Sequence, residues 1–164
     1  MQKITLRDIQ TFKDQGKPFA SVTAYDYMSA RNADAVKIPL LLVGDSASMV
    51  VYGMDTTIPI SMEELIFLVR AVCRGSNKAL VVADMPFMSF QASIEDAIRN
   101  AGRFVKEGGA EAVKLEGGIV YAAQMRAIID AGIPVMGHVG LLPQCYHLNS
   151  GYRVQGKTKL EADK

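Results

Sequence analysis

Five polar or charged residues follow three apolar segments of the chain, each at the point where its segment ends. Asp45 and Ser46 come after the run LLLVG, Asp84 closes the run ALVVAD, and Lys114 with Glu116 closes the run AVKLE. Continuous apolar runs of this length are typical of strands buried on both faces, and parallel sheets bind ligands beyond the carboxyl ends of such strands. We therefore expect the five side chains to meet at one edge of a parallel sheet.

This edge would bring two aspartates and a glutamate together beside a single lysine. Carboxylates that lie close together repel one another, and a bound cation removes that conflict. A ligand set made only of oxygen atoms, without Cys or His, favours a hard ion such as Mg²⁺ over zinc. The sequence therefore predicts a metal site formed by Asp45, Asp84 and Glu116.

Simpler roles compete with this prediction. An aspartate at the end of a strand is often a turn residue that hydrogen-bonds its own backbone, which is the alternative for Asp45 and Asp84. Lys114 and Glu116 lie two residues apart on one strand, so they share a face, and an ordinary ion pair is the alternative for both. His138 follows a fifth apolar run, and a hydrogen-bonded core histidine is as compatible with the sequence as a place in the site.

Strands and helices alternate along the chain. The hydrophobic pattern predicts strands over residues 19–24, 40–43, 79–84, 112–115 and 133–137. Capping residues and Gly or Pro stops predict helices over residues 5–15, 29–37, 62–74, 94–107 and 119–131. The long loop over residues 47–60 is typical of a lid or a binding segment. Alternation of this kind is typical of βαβ units and indicates a parallel α/β sheet.

The position of the candidate site residues distinguishes two kinds of α/β fold. Each of them follows a strand, and no Gly-rich phosphate-binding motif follows the first strand, which favours a (β/α)₈ TIM barrel over a doubly wound sheet. Five strands cannot close an eight-stranded barrel. We therefore expect residues 1–164 to form a single α/β-barrel domain that is truncated at the C-terminus and contains about the first five β/α units. Its open fifth strand would need a complementary C-terminal segment.

The overall composition restricts the partners and the compartment. The 164 residues are 49% hydrophobic and 21% charged with a formal net charge of +1, which is typical of a globular protein and gives no basic field for nucleic acid. The N-terminus lacks the apolar core of a signal peptide, and no apolar run reaches membrane-spanning length. Cys73 and Cys145 are isolated in sequence, as expected for reduced thiols. We therefore expect a cytoplasmic protein without nucleic-acid or membrane partners.

Six short segments, in a consistent order, resemble the ketopantoate hydroxymethyltransferase family. They are TAYDY at 23–27, LLVGDS at 41–46, ADMPFMSF at 83–90, VKLEGG at 113–118, GHVGLLPQ at 137–144 and GYRVQG at 151–156. The resemblance covers the whole chain and implies the N-terminal part of a (β/α)₈ barrel of the phosphoenolpyruvate mutase and isocitrate lyase superfamily. It also implies Mg²⁺ as the cofactor and a large homo-oligomer.

The resemblance further implies an enzyme at the first step of pantothenate and coenzyme A biosynthesis. The family transfers a hydroxymethyl group from 5,10-methylenetetrahydrofolate to 3-methyl-2-oxobutanoate through a metal-stabilised enolate, which gives 2-dehydropantoate. By motif, Asp45, Asp84 and Glu116 match the metal-site carboxylates, while Ser46 and Lys114 match groups that hold the keto acid. The substrate-binding set expected from the resemblance is Asp45, Ser46, Asp84, Lys114 and His138.

The chain departs from the family in two respects. Leu142 stands where the motif at 137–144 usually has Thr, and the general base of the family is a Glu after a later strand, in a segment that this chain does not contain. The isolated chain is therefore expected to bind ligands with little turnover. Two alternatives remain open. One is another 2-oxo acid lyase or mutase of the superfamily, whose lyases usually carry a Cys-bearing active-site loop that this sequence lacks; the other is a non-catalytic part of a barrel.

Overall fold

The computed structural model describes residues 2–162 as a five-stranded sheet with helices between the strands. The strands are β1 (Ser21–Thr23), β2 (Leu40–Val43), β3 (Leu80–Asp84), β4 (Ala112–Glu116) and β5 (Val135–His138). The helices are α1 (Leu6–Asp14), α2 (Tyr27–Ala35), α3 (Ala47–Val50), α4 (Met62–Gly75), α5 (Ile94–Arg103), α6 (Ala122–Asp130) and α7 (Lys159–Ala162). Across these described residues, no helix combines the length with the apolar character that a membrane span requires.

All five strands are parallel and lie side by side in the order of the chain. A doubly wound sheet reverses its strand order at a switch point, whereas each strand of a (β/α)₈ barrel pairs with the next one along the chain. The strand order therefore confirms the predicted barrel arrangement, of which these five strands form a part.

Successive residues of β2, β3 and β4 enter two different cores, because side chains along a strand point alternately to opposite faces. The outer face packs against the helices and includes Leu41 and Val81, of which 1% or less is exposed. The inner face is apolar at its amino end, where Leu40, Leu80 and Val82 form a second cluster. Helix α1 contacts this inner cluster through Ile9, and the inner face leads from the cluster toward the carboxyl ends of the strands.

The strand register places polar side chains together at the carboxyl end of that inner face. Asp84 of β3 pairs with Lys114 of β4, and Glu116 of β4 pairs with His138 of β5. Lys114 and Glu116 are two residues apart on β4, so both point to the same side of the sheet. The parallel register thus brings together charged residues that lie far apart in sequence.

Predicted capping residues begin three of the helices. Ser61 caps α4: its hydroxyl accepts a hydrogen bond from the Glu64 amide at 3.2 Å, and the Glu64 carboxylate accepts one from the Ser61 amide at 2.8 Å. At α1 the Asp8 carboxylate accepts a hydrogen bond from the Thr5 amide at 2.8 Å, and at α5 the Ser93 hydroxyl accepts one from the Asp96 amide at 3.0 Å. These bonds satisfy amides that have no partner inside the helix.

Several element boundaries differ from the predicted ones. β1 has three residues rather than six because it is an edge strand that pairs only with β2, and all three of its residues are exposed. β5 begins two residues later than predicted and includes His138. The predicted loop over residues 47–60 begins with the short helix α3, and α5 continues as a π-helical turn over Phe104–Gly108. The predicted helix over 119–131 begins as a 3-10 turn before α6.

A buried carboxylate near the end of α2 holds the connection between α4 and β3. Asp34 accepts hydrogen bonds from the Ser76 hydroxyl at 3.0 Å and from the amides of Asn77, Lys78 and Ala79 at 3.1, 2.9 and 3.1 Å. Burial alone would raise the pKa of Asp34, but the hydrogen bonds from these amides outweigh it and lower the pKa below its ordinary value. The ionised carboxylate therefore stabilises this connection.

We expect Asp34→Asn to lower the free energy of unfolding at neutral pH by about 2 kcal/mol, since the amide loses the charge and accepts through one oxygen only. Because the folded-state pKa lies below the ordinary value of 3.8, the contribution of Asp34 is full above about pH 4 and is lost as the pH falls through the folded-state pKa. Urea unfolding across this pH range measures the difference. Asp14→Asn, at an exposed position of α1, is the control. Equal losses of unfolding free energy in the two variants would contradict the stabilising role of the Asp34 carboxylate.

Candidate functional site

Four charged side chains lie together at the carboxyl end of the inner face of the sheet, as the sequence predicted. Asp45 follows β2, Asp84 ends β3, and Lys114 and Glu116 lie on β4. All four residues are buried, with 3%, 2%, 8% and 3% of their surfaces exposed. We call these four residues the acidic rim. Full burial of charged groups is uncommon unless they are paired or bind a ligand, so the rim is the candidate functional site.

Lys114 forms the closest contacts within the acidic rim. Its ammonium group donates to both carboxylate oxygens of Asp84 at 2.8 Å and lies 3.6 Å from Glu116 Oε1. The ion pair considered between Lys114 and Glu116 is therefore secondary to a pair across two strands. Because Lys114 lies between the two carboxylates, it connects β3 and β4 at their carboxyl ends.

The turn after β2 places Asp45 beside Asp84. The Asp45 amide donates to Asp84 Oδ2 at 3.4 Å, and a Cβ atom at Gly44 would lie only 2.8 Å from Ser46 Oγ. A Cβ atom at this position would displace the Ser46 hydroxyl. Ser46 Oγ is 2.8 Å from the hydroxyl of Tyr25, which follows β1 in the TAYDY segment. The sequence indicated Ser46 as a site residue but gave Tyr25 no role.

Glu116 has partners on both of its carboxylate oxygens. His138 Nδ1 lies 3.1 Å from Oε1, and the backbone amide of Gln144 donates to Oε2 at 3.0 Å. The His138 side chain is 32% exposed, so it contacts the acidic rim from its solvent side. The structure thus places His138 beside the site, where the sequence allowed a core position equally.

Gln144 is the main residue that the sequence reasoning missed. It lies in a short 3-10 turn after β5 (Pro143–Cys145), is 5% exposed, and donates from its side-chain amide to Asp45 Oδ2 at 3.0 Å and to the Met85 carbonyl at 2.9 Å. The one signal for it was its position at the end of the GHVGLLPQ segment, which begins within β5.

The two aspartates of the acidic rim are poorly stabilised in their ionised form. Burial raises the pKa of Asp84 to about 7, although Lys114 opposes the shift. Burial also raises the pKa of Asp45; the hydrogen bond from Gln144 opposes that shift and the charge of Glu116 adds to it. A nearby cation would favour the charged form of both carboxyl groups.

The three predicted metal ligands, Asp45, Asp84 and Glu116, do not form a complete metal-binding group as their side chains stand. Within residues 2–162, no group of three or more Asp, Glu, His or Cys side chains is arranged to hold a metal ion as the side chains stand. Lys114 lies between Asp84 and Glu116, and the Gln144 amides contact both Asp45 and Glu116. Asp45 and Asp84 are in contact through the Asp45 backbone amide, and both carboxylate oxygens of Asp84 accept from Lys114.

A buried hydroxyl beside Asp45 has no partner. Thr57 is 2% exposed, and its Oγ1 is the one buried side-chain nitrogen or oxygen in the described part of the chain without a hydrogen bond. The hydroxyl lies near enough to Asp45 to lower the pKa of that carboxyl, but it does not have the geometry of a hydrogen bond to it. An unpaired buried hydroxyl is costly, and a ligand oxygen at this position would remove the cost.

The cysteines do not have the properties of catalytic nucleophiles. Both are free; burial raises the pKa of Cys73 to about 11 and also raises that of Cys145, which lies next to Gln144. A thiol with a raised pKa is a poor nucleophile because little thiolate forms at neutral pH. This agrees with the absence of a Cys-bearing lyase loop from the sequence.

Similar solved structures identify the superfamily whose fold this protein has. Phosphoenolpyruvate phosphomutase from Streptomyces platensis subsp. rosaceus aligns with a TM-score of 0.64 at 15% identity, over 79% of this chain and 50% of that one. For 2,3-dimethylmalate lyase, a PEP mutase/isocitrate lyase superfamily member, the TM-score is 0.62 at 17% identity, and the alignment covers 80% of this chain and 51% of the lyase. A phosphonopyruvate hydrolase complex with oxalate and Mg²⁺ aligns with a TM-score of 0.64 at 14% identity, and the alignment covers 79% of this chain and 50% of the hydrolase. The protein therefore has the fold of this superfamily, as a partial α/β barrel.

Within that class, the chain belongs to the ketopantoate hydroxymethyltransferase family, whose model matches residues 3–164. The 3-methyl-2-oxobutanoate hydroxymethyltransferase of Carboxydothermus hydrogenoformans is 53% identical over 164 residues, which are 100% of this chain and 59% of the relative. The enzyme of the same name from Frankia alni is 55% identical over 155 residues, 94% of this chain and 51% of the relative. The chain thus spans little more than half the length of these relatives.

Proposed function

We propose that the protein acts as a 3-methyl-2-oxobutanoate hydroxymethyltransferase and that its acidic rim binds a divalent cation together with the keto acid. The observation that carries the proposal is the charge of the rim, where three buried carboxylates face one buried ammonium group. Buried charges are normally paired, so the excess negative charge favours a bound cation. The names of the relatives supply the substrate class, and their high identity favours this activity over the lyases, which share the fold alone.

The donor atoms fit a hard cation. Asp45 would bind it directly through the carboxylate oxygen that does not accept from Gln144. Asp84 would bind it when Lys114 exchanges part of its contact with this carboxylate for the substrate, and Thr57 adds a hydroxyl with no hydrogen-bond partner of its own. Mg²⁺ prefers oxygen ligands and usually keeps several waters, so Glu116, already bound by His138 and Gln144, would act through a water molecule. The phosphonopyruvate hydrolase of the same fold, solved with oxalate and Mg²⁺, supports a cation bound with a small carboxylic acid.

Each residue of the site would have a separate task. When bound, the cation supplies a Lewis acid that polarises the 2-oxo group and stabilises the negative charge that develops on its oxygen. The Lys114 ammonium group would bind the carboxylate of the keto acid, exchanging part of its contact with Asp84 for the substrate. The Ser46 hydroxyl, oriented by Tyr25, would donate a hydrogen bond to a substrate oxygen.

The whole reaction removes a proton from carbon 3 of the keto acid and joins that carbon to the one-carbon unit of 5,10-methylenetetrahydrofolate. Water supplies the hydroxyl oxygen, tetrahydrofolate leaves, and the product is 2-dehydropantoate, a precursor for pantothenate synthesis. We assign no general base among residues 2–162, because the three carboxylates of the acidic rim are engaged by Lys114, His138 and Gln144. The family's base remains a prediction for a Glu outside these residues.

Binding of the keto acid and of the cation should be coupled. In calorimetric titrations we expect 3-methyl-2-oxobutanoate to bind roughly 10-fold or more tightly with Mg²⁺ than with EDTA, and Mg²⁺ affinity to rise by the same factor when the keto acid is present. The control ligand is 3-methylbutanoate, which lacks the 2-oxo group and should gain little from Mg²⁺. Equal keto-acid affinity with and without the metal would contradict the proposed site.

A further inference from the structure

Gln144 connects parts of the site that come from three different strands. Its side-chain amide donates to Asp45 after β2 and to the Met85 carbonyl after β3, while its backbone amide donates to Glu116 on β4. The side-chain oxygen accepts a hydrogen bond from Gln91 Nε2 at 3.0 Å. Gln144 therefore forms hydrogen bonds through its backbone N–H, both side-chain N–H groups and its side-chain oxygen. The residue itself is 5% exposed.

The chemistry of a neutral amide suits this position. A cationic donor would compete with a bound metal ion for Asp45, whereas an amide N–H fixes one carboxylate oxygen without adding charge and leaves the other oxygen free to coordinate. The second N–H is fixed by the Met85 carbonyl, and the side-chain oxygen by Gln91, so the amide cannot rotate without losing contacts. Residues that orient metal ligands in this way commonly determine metal affinity.

We propose that Gln144 is a positioning residue that holds the carboxylates of Asp45 and Glu116 in the orientation needed for cation binding. The proposal rests on the proposed function of the acidic rim and extends it to the segment after β5, which contributes none of the rim's charged residues. Because the side chain holds one carboxylate and the backbone holds the other, a shift of this segment would disturb both carboxylates.

The alternative is that Gln144 only anchors its own loop. Gln91 separates the two roles, because its side chain bonds Gln144 and has no hydrogen bond to Asp45 or Glu116 among the described residues. Gln91→Met removes one of the three side-chain hydrogen bonds of Gln144 and leaves the contacts with both carboxylates, so loosening of the loop alone should weaken Mg²⁺ binding in both variants. A change in the orientation of the carboxylates should appear only when Gln144 is altered.

The test is Mg²⁺ binding by calorimetry in the wild-type protein, in Gln144→Met and in the matched control Gln91→Met. Methionine is unbranched and close to glutamine in length, but it has no N–H to donate. We expect Gln144→Met to weaken Mg²⁺ binding by about 10–100-fold, as is typical when an orienting partner of a metal ligand is removed, and Gln91→Met to keep wild-type affinity. Thermal unfolding without Mg²⁺ shows that both variants are folded.

The outcomes separate this proposal from the proposed function. If the wild-type protein binds Mg²⁺ and Gln144→Met binds it equally well or more tightly, the positioning role is wrong while the metal site stands. Equal losses in the two variants would show loop anchoring and would also overturn the role. If the wild-type protein itself binds no Mg²⁺, the proposed function fails, and the role of Gln144 fails with it.

Discussion

Asp84→Asn should weaken Mg²⁺ binding by roughly 100-fold or more, which corresponds to about 3 kcal/mol. The substitution removes one of the two adjacent carboxylates, and it also leaves the Lys114 ammonium group without the partner that it contacts at 2.8 Å. The positive charge, then balanced within the acidic rim mainly by Glu116 at 3.6 Å, would repel a cation at Asp45. Both changes act in the same direction, so this is the largest effect that we expect for a single substitution.

The matched control for this substitution is Asp130→Asn. Asp130 also forms an ion pair, with Arg126 at 2.9 Å, but it is exposed on α6 and lies outside the acidic rim. Calorimetric titration with MgCl₂ should therefore show wild-type affinity for the control variant. Unchanged Mg²⁺ affinity in Asp84→Asn would remove Asp84 from the metal site.

Lys114→Met should affect the two ligands in opposite directions. Lys114 is the one buried Lys or Arg among residues 2–162, so its loss removes the only buried cationic side chain that can bind the keto-acid carboxylate there. A hydrogen bond to a charged group contributes about 1.5–3 kcal/mol, so keto-acid affinity should fall by roughly 10–100-fold. Mg²⁺ affinity in the absence of keto acid should rise, because a competing positive charge has been removed.

This opposite response distinguishes a role in substrate binding from a general loss of structure, which would weaken both ligands together. Lys106→Met, at an exposed position of the π-helical turn, is the control and should leave both affinities unchanged. Parallel titrations with MgCl₂ and with 3-methyl-2-oxobutanoate measure the two affinities. Undiminished keto-acid binding in Lys114→Met would show that the carboxylate of the substrate binds elsewhere.

Alternation along the strands made much of the acidic rim predictable. Lys114 and Glu116 share a face because they are two residues apart, and parallel strands place Asp84 at the same end of the sheet. The sequence could not show which carboxylate Lys114 pairs with, because that choice depends on the register between β3 and β4. The register aligns Asp84 with Lys114, and their contact is the shorter one.

Side chains from irregular segments were harder to predict. Gln144 and Thr57 lie after the strands, in segments whose path is set by tertiary contacts rather than by a repeating pattern. No periodicity shows that Gln144, after β5, passes the ends of β4 and β3 to reach Asp45, ninety-nine residues earlier in the chain. Thr57 looked like an ordinary loop residue, and only its burial without a hydrogen-bond partner distinguishes it from Thr56.

The most direct measurement of cation and keto-acid binding at one site uses Mn²⁺ in place of Mg²⁺. Paramagnetic Mn²⁺ relaxes nuclear spins close to it, so 3-methyl-2-oxobutanoate labelled with ¹³C at carbons 1 and 2 reports whether its carboxylate and keto group lie beside the metal. We predict strong relaxation of both carbons with the wild-type protein and its loss in Asp84→Asn. Relaxation no stronger than that produced by free Mn²⁺ would contradict joint binding at the acidic rim.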